Sequence, residues 1–126
     1  HAQACARKAL AMTALMFLLQ RGSAMVLAFA VEVHLATIIY AVRVGLTAGE
    51  VLGRTRDNGC FLAFYLMFAI AVAIHAPIGL RNILREWTLW RGRSLDIVLA
   101  IFALVLLFFG CRAALAVYLP IAVGVK

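Results

Sequence analysis

Apolar runs at residues 22–42, 60–80 and 95–119 constrain this chain most, each lying near the ~20 residues that carry a helix across ~30 Å of hydrocarbon. Inside a bilayer every backbone polar group must be satisfied within the segment, so runs of this length are expected as helices. Short connections make consecutive helices antiparallel neighbours. The expected fold is therefore all-α: three transmembrane helices in an up-down-up antiparallel bundle, with spans at about 15–43, 60–84 and 94–119 in a single transmembrane domain covering 1–126. The composition agrees, with 67% hydrophobic and 13% charged residues against roughly half and a quarter in a soluble domain. Three spans leave no room for a soluble catalytic domain, so any chemistry is done within the membrane or by partner subunits. The first run is too long for a signal-peptide core and reads as a retained span. Residues 1–11 are alanine-rich and looser in pattern, as a leader, an alternative start or a surface segment would be.

A formal net charge of +7 invites a nucleic-acid reading, but the basic residues gather at the ends of the apolar runs and form no stripe with interleaved aromatics. They are topology signals for a lipid membrane. Arg7, Lys8 and Arg21 precede or open the first span and Arg81, Arg85, Arg91 and Arg93 follow the second, whereas Arg43, Arg54 and Arg56 lie between the first two. This bias places the N-terminus and the second connection in the cytoplasm; the expected location is a cytoplasmic (inner) membrane. Trp87 and Trp90 suit one interface, Tyr40 and Tyr118 the other. Gly45, Gly49, Gly53 and the polar run 54–59 break the apolar pattern between the first two spans. Cys5, Cys60 and Cys111 are widely spaced and odd in number, which argues against a disulfide or zinc framework and for small buried side chains.

Ionisable groups within a bilayer cost several kcal/mol unless paired or turned to the bundle interior, and four are singled out away from the ends of the runs: Glu32, His34, His75 and Arg112. Leu27, Ala30, His34, Thr37 and Ala41 recur at helical spacing, as do Ala71, His75, Gly79 and Asn82. Small neighbours admit either another helix or a flat ligand beside each imidazole. Two readings follow. Each histidine is interhelical hydrogen-bonding glue, or each is an axial ligand of haem iron, which a neutral imidazole on a dry face provides. A ligating histidine must also hold its other ring N–H on an acceptor. Pro77 leaves the Ala73 carbonyl without its helical partner and is expected to bend the helix beside His75. With Arg21 and Arg81 at one boundary, His34 lies roughly 20 Å inward and His75 roughly 9 Å. Two haems at different depths, each completed by a ligand from another chain, follow most simply; a shifted boundary would instead bring both histidines to one iron.

Gln20-Arg21-Gly22-Ser23-Ala24 resembles the H/Q-R-x-S/T-G/A signature of the cytochrome b membrane anchors of succinate dehydrogenase and fumarate reductase. His75-Ala-Pro-Ile-Gly79-Leu-Arg81-Asn82, followed by Glu86, resembles the H-x-x-x-G-x-R-H-x-x-x-D stretch of the same family's second helix. Order and layout agree over nearly the whole chain. The resemblance implies haem b, two per anchor assembly, with His75 the iron ligand nearer the cytoplasm and His34 the ligand of the outer haem. It implies that Gln20, Arg21 and Ser23 help form a quinone site, and that Arg81 meets a haem propionate or shapes that pocket; Arg43 is a further cofactor-contact candidate. A guanidinium there would donate to quinone oxygens and stabilise the anionic reduced form. Asn82 replaces the motif's second histidine, Glu86 its aspartate, Ala24 its glycine, and Phe17 stands where some members place a serine.

On this reading the chain is a non-flavin subunit passing electrons between a peripheral iron–sulfur subunit, itself joined to a flavoprotein, and membrane quinone. A second anchor subunit or a second copy would complete the haem sites. Glu32, about 200° around the helix from His34, is a candidate proton carrier or a paired carboxylate, and Arg112 a propionate partner or a snorkelling cation. Two alternatives stand beside it: the cytochrome b subunit of another quinone-linked oxidoreductase, and a haem-free membrane scaffold.

Overall fold

The computed structural model describes residues 2–45 and 47–119. Four helices follow one another: α1 (Ala2–Val44), α2 (Ala48–Thr55), α3 (Gly59–Trp87) and α4 (Arg93–Tyr118). Three of them, α1, α3 and α4, are long and apolar enough to cross a membrane. The central α3 packs against both α1 and α4, which gives the antiparallel up-down-up order. There are no strands among the described residues.

Packing relies on small residues, as it must when lipid tails are as apolar as leucine and close van der Waals approach replaces water exclusion as the driving force. Ala69, Ala71 and Ala73 of α3, Ala30 and Ala41 of α1, and Ala114 of α4 are buried, with Leu95 and Leu99 the large buried side chains. Large apolar residues point outward instead: Met25, Phe29, Leu104, Phe108 and Phe109 are all more than half exposed. In water such a surface would be an aggregation liability; in a bilayer it is the ordinary lipid-facing coat. At Gly110 α4 approaches α3 closely enough that a Cβ would lie 2.7 Å from the Ala69 Cβ.

The segment between α1 and α3 is more ordered than its glycines suggest. Thr47 and Glu50 form a capping box: Glu50 N–H donates to Thr47 Oγ1 (3.3 Å), and the Thr47 N–H (3.0 Å) and hydroxyl (2.7 Å) donate to Glu50 Oε2. Those donors hold the Glu50 carboxyl below its usual range, the Thr47 hydroxyl contributing most. Gly45 is required here, because its φ of +140° suits glycine and a Cβ would collide with the Glu50 carboxylate. The far end of α2 lies against the end of α4. Thr55 Oγ1 donates to Val117 O (3.1 Å) and Asp57 N–H to Tyr118 O (3.4 Å), so terminal carbonyls of α4 find donors. Arg54 lies over the Tyr40 ring at 5.7 Å and ties α2 to α1. Asn58 then caps α3, accepting from Cys60 N–H at 3.1 Å.

Helix α1 has 43 residues, or ~64 Å, about twice the hydrocarbon thickness. Met12 and Thr13 share a cavity with Arg85 near the end of α3, so residues 2–11 continue the helix beyond α3 by roughly 15 Å. The bundle is thus a three-helix core with an overlong first helix and a folded cap at the opposite end.

Candidate functional site

His75 sits at the α1–α3 contact, half-buried, with its Nδ1 3.4 Å from Ser23 Oγ. Ser23 is itself only 8% exposed. One turn on, a Cβ at Gly79 would lie 3.2 Å from Gln20 Nε2, so Gly79 is what lets Gln20 seat between the helices. Gln20 Oε1 is buried with no hydrogen-bond partner among the described residues. The Ala71–His75–Gly79 face is therefore turned to α1, and its small residues serve the approach of a helix. Pro77 is buried inside a continuous α3 and lines a groove of about 360 Å³ shared with Leu99, Ala100 and Ala103 of α4.

Next to this contact is a cavity of about 410 Å³, walled by Met16, Phe17 and Gln20 of α1 and by Arg81, Asn82 and Arg85 of α3. Its size falls within the roughly 300–1,000 Å³ of small-molecule sites. Arg81 reaches across to α4, where its Nε donates to Asp96 Oδ1 at 2.9 Å. The pair is part-exposed, so its worth as an isolated ion pair is at most about 1 kcal/mol, but it fixes the guanidinium at the cavity wall. Arg21 is exposed and reaches back over the Phe17 ring, 5.7 Å from its centroid. Of the residues singled out for quinone contact, Gln20 lines the cavity, Arg21 stands beside it through Phe17, and Ser23 faces His75.

His34 lies elsewhere. It is exposed on α1 and lines a small cavity of about 190 Å³ with Thr37, Cys60, Phe61, Phe64 and Tyr65. Eleven residues separate Ser23 from His34 on α1, and eleven separate Phe64 from His75 on α3. Both counts correspond to roughly 16 Å along the bundle. Within one chain the two imidazoles are too far apart to share an iron. Glu32 and Arg112 are exposed and make no hydrogen bond or ion pair with the described residues, and Arg43 is exposed in the last turn of α1.

The fit to haem rests on donor chemistry. His75 has an oxygen within reach of one ring nitrogen and offers the other, as an axial ligand requires. His34 also offers one imidazole. Among the described residues there is no group of three or more histidine, cysteine or acidic side chains able to hold a bare metal ion. His34 lines the small cavity beside Phe61 and Phe64, and His75 stands at the α1–α3 contact. Sequence reasoning missed Asp96 and Arg85. Asp96, an acid in the first turn of α4, was the visible signal for a charge partner.

Fold and site together define a multi-pass membrane protein with polar and imidazole groups at two depths. Comparison with family models, with curated proteins and with solved structures finds no match to this chain.

Proposed function

We infer that the chain is a haem b-carrying anchor subunit of a succinate dehydrogenase or fumarate reductase, moving electrons between a peripheral iron–sulfur subunit and membrane quinone. The observation that carries the reading is the juxtaposition of His75, held against Ser23, with a 410 Å³ cavity that contains Gln20 and Arg81. These residues come from the two sequence stretches that resemble the anchor family, and they lie within about two helical turns of one another along the α1–α3 contact. A haem bound between two imidazoles supplies one-electron transfer without an open position for oxygen.

The chain's own residues would do the rest. His75 holds the inner haem and His34 the outer, each with a second ligand from a partner anchor or a second copy. The cavity takes the quinone head. There, Gln20 forms part of the wall, and the remaining N–H groups of Arg81 suit a quinone oxygen. Met16 and Phe17 supply an apolar wall for the ring. The distribution of arginines favours a cytoplasmic position for this end and the N-terminus, and in a cytoplasmic (inner) membrane a flavoprotein and iron–sulfur partner would dock there. The gently isolated assembly is expected to contain flavin and to exchange electrons between succinate or fumarate and quinone. A haem-containing assembly without flavin would point to another quinone-linked cytochrome b, and one without porphyrin to a scaffold.

A further inference from the structure

Resting on the reading of His75 as a ligand, the geometry assigns Ser23 a positioning role: we propose that its hydroxyl oxygen accepts the Nδ1–H of His75 and so fixes the tautomer that leaves the Nε2 lone pair free. A neutral imidazole carries one ring proton, and which nitrogen bears it is set by the hydrogen bonds around the ring. Ser23 Oγ lies 2.6 Å from Leu19 O, 3.1 Å from Gln20 O and 3.4 Å from His75 Nδ1. The serine has one hydrogen to give, and both carbonyls are nearer than the ring. The Leu19 carbonyl takes it, in the i−4 back-bond common for serine in membrane helices. The oxygen then meets His75 as an acceptor only, and the 3.4 Å contact is attractive when Nδ1 carries the proton and repulsive when it carries a lone pair. No other hydrogen bond to His75 exists among the described residues to reverse this choice.

This gives Ser23 a function distinct from quinone contact, and it explains why the serine faces α3 while Gln20 lines the cavity. A threonine would keep the oxygen and the back-bond; an alanine would leave His75 free to adopt the Nε2–H form that imidazole side chains favour in water.

The test is the tautomer itself, read by ¹⁵N NMR of the full chain carrying ring-labelled histidine in lipid bilayers without haem, at a pH where imidazole is neutral. The His75 signals are identified by their loss in His75→Gln. Nδ1 is expected protonated and Nε2 unprotonated in the wild type, reversed in Ser23→Ala and restored in Ser23→Thr. An Nε2–H wild type, or a Ser23→Ala variant with an unchanged ring, would overturn the proposal. A second readout uses the haem-loaded assembly. An accepted Nδ1–H makes the ligand more basic, so Ser23→Ala is expected to retain haem with a raised midpoint potential. Correct tautomers in a chain that never takes up haem would sink the cytochrome reading and leave the Ser23–His75 contact standing; haem with the wrong tautomer would do the reverse.

Discussion

Single residues carry much of this molecule because its interfaces are made of small ones. Gly110 shows it most sharply: a methyl group there would lie 2.7 Å from the Ala69 Cβ, and no flexible side chain is available to yield. Gly110→Ala is expected to cost about 1–3 kcal/mol by overpacking, measured by reversible unfolding in mixed micelles. Pairing it with Ala69→Gly should return most of that loss, since the two sites are in contact and their effects do not add. An unchanged unfolding midpoint in Gly110→Ala would mean that α3 and α4 pack more loosely than described. His75 was legible in the sequence as an ionisable group on a small-residue face. Its neighbour Ser23 was legible only as part of a motif, because fifty-two residues separate them and nothing local signals that they meet.

At the scale of elements, the spanning helices were readable because apolar length alone dictates them in a bilayer. The connection between α1 and α3 was not. Gly49 and Gly53 weaken the helical signal of α2, so the segment reads as a break; the Thr47–Ala–Gly–Glu50 capping box is the cue that outweighs them. Protonation should undo that cue. Glu50 has its folded pKa lowered by the Thr47 donors, so its contribution to α2 is complete above the unfolded carboxylate pKa and is lost as pH falls through the folded value. Amide-exchange protection of the first turn of α2, corrected for intrinsic rates, is expected to fall over that acid range. Thr47→Val should lower protection at neutral pH and flatten the profile; an identical pH profile in the variant would refute the role of the box. The overshoot of α1 past α3 was also hidden, because Arg7, Lys8 and Arg21 mark where the apolar run ends and not where the helix begins.

For the whole molecule, the antiparallel bundle makes a topological demand independent of any cofactor. Cys5 lies on the overhanging start of α1 and Cys60 on the first turn of α3, both exposed. They therefore belong to opposite ends of the bundle. A membrane-impermeant maleimide applied to sealed, oriented vesicles should label one from each side, with Cys5 on the side that also exposes the 88–92 connection. Labelling of both from the same side would contradict the up-down-up order. The arginine bias further expects Cys5 to face the cytoplasm.

The same bundle places His34 and His75 roughly 16 Å apart along its axis, and from this the central claim takes a countable form. In the intact assembly, pyridine haemochrome against protein mass should give two haems b per anchor assembly in the wild type. His75→Ala and His34→Ala should each lose one and keep the other, with the reduced α band halved. A colourless wild-type assembly, or loss of all haem in both variants of an otherwise folded protein, would contradict the account.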